Sequence, residues 1–261
     1  VCKAASQQVL FAAAGGGGGG GGDTFADGID PSKIIYMLHF EDLAGASPDY
    51  FVDSSAYGRV AFTGGTENPQ RVATEVFGTY GSQLGGGGTT WTTRYAASAE
   101  IDFAAQDFVC EGFVRPDAIG STQHINGQSN GAGSATSMSI AVLITAAGNI
   151  RAYAVDAGGS QFVNLVGSTT LLALTYYYYA FHRHGNDWAL HLGTVGGAVN
   201  LEASATNSGT VNYSSNLWGI GMLGEYIFSG LAGHVDEQRL VIGDWKDVEA
   251  LGVPDKQLAP A

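Results

Sequence analysis

Positive charge is scarce in this chain. Lys and Arg number 11 against 24 Asp and Glu, for a formal net charge of −13 at pH 7. No basic cluster offsets that excess, so phosphate backbones and anionic bilayers meet repulsion, which counts against nucleic acid or a membrane as partner. Cysteine is nearly missing: Cys2 and Cys110 are the only two, too few for a disulfide framework. Cys110 alternates with Phe108 as a small buried hydrophobe, a usage that suits assembly in a reducing compartment. There is no run of about 18 apolar residues to span a bilayer, and Val9–Ala14 is shorter than a signal-peptide core. The opening residue is Val1 rather than Met, which points to processing, truncation or an incomplete start. The glycine runs lack the Lys-Ser/Thr of a phosphate loop. No repeat of 20–50 residues marks a propeller or solenoid.

What the chain does have is glycine and alternation. Forty of 261 residues are Gly, 45% are hydrophobic and 13% charged. Ser, Thr, Asn, Gln and Gly must therefore supply most of the solubility, as in secreted or particle-bound β proteins. The length suits one domain, and a domain of this size buries roughly 70–75% of its unfolded surface. Residues 1–33 read as an arm, with the polyglycine run Gly15–Gly22 as a tether behind an apolar hook of Val9, Leu10 and Phe11 that would dock on a partner. A run of bare backbone could equally be ordered by neighbours in an assembly. Residues 34–247 read as the folded unit and 248–261 as a tail.

The central stretch Asp107–Asp117, DFVCEGFVRPD, alternates strictly. Phe108, Cys110, Gly112 and Val114 share one face, while Val109, Glu111, Phe113 and Arg115 share the other. The first face suits a core and the mixed one a partly wetted surface, with Pro116 closing the strand. Further strands are expected over Ile34–Phe40, Val60–Thr63, Arg71–Phe77, Ala99–Phe103, Ser139–Thr145, Ile150–Asp156, Gln161–Val166, Leu171–His184, Trp188–Leu192, Val199–Ala205, Leu217–Met222 and His234–Ile242. Turns are expected at Ala146-Ala147-Gly148-Asn149 and Gly185-Asn186-Asp187. Gly120–Ser137 is almost devoid of apolar side chains and reads as an exposed excursion. Asp244–Leu251 reads as a short helical turn.

The central strand resembles the FTIEGWVRP strand of the concanavalin A-like, laminin-G-type modules common in bacteriophage structural proteins. Further segments resemble the same modules in the same order. These are Met37–Asp42 (MLHFED), Asp53-Ser54-Ser55 leading to Gly58, the hairpin Ala180–Gly193 (AFHRHGNDWALHLG), Ile220-Gly221 and Gly233–Leu240 (GHVDEQRL). The resemblance implies an all-β fold, a concanavalin A-like jelly-roll antiparallel sandwich whose first and last strands pair. It also implies a phage setting: a non-enzymatic virion structural protein assembled in the host cytoplasm. Capsid decoration or cementing, anchored through the arm to other virion proteins, is the first reading. A tail-fibre or receptor-binding subunit, trimeric and recognising host surface glycans through its loops, is the alternative.

A third reading is a β-glucanase-like hydrolase, because glucanases sharing this fold place three carboxylates along an E-x-D-x-(x)-E strand. Here Glu100 and Asp102 are followed by Ala104 and Ala105, so the acid is missing and no catalytic residue is assigned. Sugar stacking would fall to Trp91, Trp188 and one pair from the run Tyr176–Tyr179; with Tyr177 and Tyr179 on one face and Tyr176 and Tyr178 on the other, one pair lines the core. No cofactor is expected, apart from a calcium ion for which Asp42, Asp53 and Asp236 are candidate ligands, as laminin-G-type modules often hold one at the rim. His182, His184 and His191 fall on one hairpin in an arrangement that zinc accepts only with a fourth ligand. His39 and His234 read as packing residues.

Overall fold

In this computed structural model the described residues are 27–40, 53–59, 62–64, 70–72, 76–77, 81–85, 92–96, 98–129, 138–212, 217–222 and 229–254. Val9, Leu10, Phe11, Gly15, Gly22, Asp42 and Trp91 lie outside them. Among the described residues the strands form two antiparallel sheets that pack face to face. The first contains β1 (Ile34–Leu38), β3 (Gln70–Val72), β4 (Gly81–Gly85), β6 (Phe108–Pro116), β11 (Tyr177–His184), β12 (Asp187–Thr194), β13 (Val199–Thr206) and β15 (Ala232–Ile242). Its order is β13-β12-β11-β6-β15-β4-β3, with β1 also paired to β15. The second runs β10-β9-β8-β7-β14-β5-β2, made of β2 (Phe62–Gly64), β5 (Thr92–Tyr95), β7 (Gln123–Ser129), β8 (Met138–Ile144), β9 (Asn149–Val155), β10 (Gln161–Thr170) and β14 (Trp218–Ile220). The expected all-β sandwich is thus observed, and its first and last strands pair through Ile34–Val241 and Leu38–Gln238.

The core between the sheets is aromatic. Phe108 sits edge-on to Phe103 (5.2 Å between ring centroids), Phe181 (5.3 Å) and Trp188 (5.6 Å). Buried rings with polar atoms keep partners, as burial requires. Trp188 Nε1 donates to the Asn207 carbonyl at 2.9 Å, and Trp218 Nε1 to the Tyr36 hydroxyl at 2.9 Å. β15 carries a bulge: Asp236 opposes Phe113 and Arg239 opposes Glu111, so Glu237 and Gln238 both face Gly112. A Cβ at Gly112 would lie 2.2 Å from Gln238 Nε2 and 2.9 Å from the Glu237 carbonyl, so only glycine fits opposite the bulge.

Several expectations are corrected. Gly120–Ser137 is not an exposed excursion throughout, because β7 lies within it and is buried along its whole length. Its polar side chains are tolerated because they are paired. Gln123 donates to the Ala118 carbonyl and accepts from Ala232 N, Asn126 Nδ2 donates to the Tyr179 hydroxyl, and Gln128 accepts from Ser139. Ala99–Phe103 is a turn rather than a strand. The mixed face of β6 is not wetted, since Val109, Glu111 and Phe113 are all fully buried. What covers it is chain expected in the arm and the tail. Ile29 is fully buried and packs with Ile34, Met37, Val109 and Val241, while Val248 packs with Phe113, Tyr178 and Ala180.

Glu111 is held under that cover by ion pairs. Arg239 reaches its Oε1 through Nε (2.8 Å) and Nη2 (2.5 Å), Lys246 Nζ reaches Oε2 at 2.8 Å, and the Tyr178 hydroxyl donates to the same carboxylate. Arg239 and Lys246 also pair with Asp27, so two carboxylates, Asp27 and Glu111, share the same two cations.

Candidate functional site

The groove forms where alternation on β11 and β12 meets a segment that folds back after β15. On β11 the outward set is Tyr178, Ala180, His182 and His184; on β12 it includes Asp187, Ala189 and His191. At Gly243 the backbone enters the left-handed region (φ 85°) and leaves the sheet. Asp244 accepts from Asp30 N at 2.8 Å, Lys246 dips into the ion pairs with Glu111, and Asp247 caps the short helix α1 (Val248–Leu251) by accepting from Ala250 N. This route lays Trp245, Asp247 and Glu249 beside His182 and His191. Together with Asp187, Leu201, Ser204 and Thr206 they line an open cavity of about 560 Å³, within the usual range for small-molecule sites.

Trp245 is half-buried. It stacks on His184 with ring centroids 3.8 Å apart and planes 15° apart, and lies parallel to His182 at 6.2 Å. His182 Nε2 and His191 Nε2 are 3.0 Å apart and share one hydrogen bond. The Nδ1 atoms of both rings are buried without a partner, and His191 Nδ1 lies 3.8 Å from Glu249 Oε1. Burial pushes His182 down to about 4, and the neighbouring His191 pushes it the same way. Burial lowers His191 too, against the pull of Glu249 and Asp247. Both rings are therefore neutral at pH 7.

Acidification should expose these groups. A histidine whose folded pKa lies below its unfolded value stabilises the fold above about 6.5 and loses that contribution as pH falls through the folded value. His124, buried and pushed to about 4, and His182 each then contribute on the order of 3 kcal/mol between pH 7 and 4. Asp236 works in the opposite direction, because burial and Glu237 raise it to about 8 against three backbone N–H donors. Urea midpoints measured at stepped pH should therefore fall less steeply between pH 7 and 4 in His124→Gln than in the parent chain. Identical slopes would contradict this.

The structure redistributes the expected site residues. Tyr179 and Trp188 are fully buried and Tyr177 is 5% exposed, so these rings are core and offer no face to a ligand. The Tyr177 hydroxyl accepts from Leu172 N, and the Tyr179 hydroxyl donates to Gln238. Both Asp53 oxygens accept from local donors: Met37 N and Ser55 N on Oδ1, Arg59 N and Ser55 Oγ on Oδ2. Asp236 likewise accepts from Val76 N, Phe77 N and Glu237 N. Neither carboxylate is presented to a rim. Among the described residues no three His, Cys, Asp or Glu side chains gather to hold a metal ion, and His184 turns to Trp245 rather than to His182 and His191. Glu100 is exposed and pairs with Arg59 at 3.3 Å, while Asp102 accepts from Ala104 N. The residue that sequence reasoning passed over is Trp245. Its signal was a lone tryptophan in the acidic stretch Asp244–Asp247.

No protein-family model matches the chain, and no curated protein does. Solved structures do match in fold. Domain 4 of AbnA, a GH43 extracellular arabinanase from Geobacillus stearothermophilus, in complex with arabinotriose, superposes at a TM-score of 0.56 and 14% identity over 87% of this chain and 96% of that one. The binding domain of botulinum neurotoxin DC in complex with SialylT gives 0.56 at 8% identity, over 81% of this chain and 48% of that one. Trypanosoma rangeli sialidase gives 0.51 at 13% identity, over 84% of this chain and 31% of that one. The chain thus spans nearly all of the arabinanase domain but less than half of the other two, and what it shares with all three is the β-sandwich fold.

Proposed function

We propose that this chain is a non-catalytic carbohydrate-binding β-sandwich that seats its glycan in the Trp245 groove. The carrying observation is the half-buried Trp245 ring, held flat by His184 beneath it and walled by hydroxyl and carboxylate side chains. An aromatic plane stacks on the apolar face of a sugar ring, and the polar rim fixes the hydroxyls. Structures of this fold solved with arabinotriose and with SialylT support the same reading. Its non-catalytic side rests on the placement of Glu100 and Asp102 on a turn, each held by an interaction of its own. These observations favour the glycan-recognition alternative over arm-anchored capsid decoration, and the phage setting rests on the motif resemblance alone.

Calorimetric titration of the full chain with a panel of oligosaccharides that includes arabinotriose tests the proposal. Trp245→Ala should weaken the best ligand by about tenfold or more, corresponding to about 1.4 kcal/mol, with the circular dichroism spectrum retained. A folded variant that binds as tightly as the parent would remove Trp245 from the site.

A further inference from the structure

We infer that the groove selects glycans carrying no carboxylate, sulfate or phosphate group. This rests on the carbohydrate-binding reading and adds the ligand class.

Charge is the first argument. Asp187, Asp247 and Glu249 line the groove and are exposed, and no Lys or Arg lines it. The adjacent cation, Lys246, points away into the sheet, with its ammonium 2.8 Å from Glu111 and 3.2 Å from Asp27. Arg183 is likewise committed to the Gly185 and Gly209 carbonyls. An anionic substituent would enter a site lined by three carboxylates with no counter-charge on offer, on a molecule that is itself strongly acidic.

The histidine pair is the second argument. His182 is 9% exposed and His191 4%, and the Nδ1 of each lacks a partner. Because two neutral rings share a single Nε2–Nε2 hydrogen bond, one Nδ1 bears a hydrogen and the other a lone pair. The pair is thus uncharged and enclosed, and Glu249 Oε1 already stands 3.8 Å from His191 Nδ1. A neutral histidine wall lined by a carboxylate gives a sulfate or uronate no counter-charge, whereas a neutral sugar needs none.

The experiment is a glycan array probed with the full chain, in which neutral oligosaccharides are printed beside sialylated, uronate-containing and sulfated counterparts of the same cores. Binding should be confined to the neutral members, with an acidic substituent at the bound end lowering the signal about tenfold. The double variant Asp247→Asn/Glu249→Gln should narrow the ratio of neutral to acidic binding, and raising the ionic strength should narrow it in the parent chain. Acidic glycans bound as well as or better than their neutral cores would overturn the inference while leaving the carbohydrate-binding reading intact. No binding to any glycan would overturn that reading, and the selectivity with it.

Discussion

Arg239→Ala should lower unfolding stability by about 3–5 kcal/mol, the usual cost of stripping one partner from a buried ion pair. Glu111 on β6 faces Arg239 on β15 directly across the ladder, and both side chains are within 1% of complete burial. Burial works against the Glu111 carboxylate, but Arg239 and Lys246 more than reverse it and hold it down at about 2. Without the guanidinium, Lys246 alone would have to neutralise both Glu111 and Asp27. Urea denaturation reads the loss, and a shift below about 1 kcal/mol would mean that water already reaches the network. The sign with pH follows from the same geometry. Because the folded value of Glu111 lies below its usual 4.5, its contribution is present above that pH and disappears as pH falls toward about 2. In Arg239→Ala that window should move upward, so acid unfolding begins at higher pH.

Phe108→Ala should cost a similar amount, about 3–5 kcal/mol, for a different reason. Phe108 is fully buried at the meeting point of Phe103, Phe181 and Trp188, and its removal leaves a hole bounded by three rings that cannot all collapse into it. Trp188 should report the change directly, with an altered emission maximum in the folded variant. Phe108→Leu, which refills most of the volume, should recover more than half of the loss. Equal losses in the two variants would point to the rings' mutual geometry rather than to the void.

How far the sequence could be read depends on where each interaction partner lies along the chain. The β6 face of Phe108, Cys110 and Val114 and the β11–β12 hairpin were legible because strand alternation and a Gly-Asn turn are local signals. The same hairpin register put His182 and His191 within reach of each other. β7 was not legible, since Gln123, Asn126 and Gln128 look like a loop until Tyr179, Ala232 and Ser139 are brought to them from elsewhere. Nor could alternation tell that Glu111 is dry, because the residues that roof it, Asp27 and Lys246, lie far away at either end of the described chain. The Tyr176–Tyr179 run split into two faces as expected, but both faces of β11 turned out to be covered there. The half-buried ring beside the groove is Trp245, positioned by His184 and by the docking of its neighbour Lys246.

That docking has a mechanical meaning. Asp27 grips Arg239 and Lys246 together, and Lys246 is covalently next to the stacking ring. Asp27 therefore ties the segment before β1 to the segment after β15 through side-chain charge. Loss of that one carboxylate would be felt in both segments at once, like a rivet drawn from a seam.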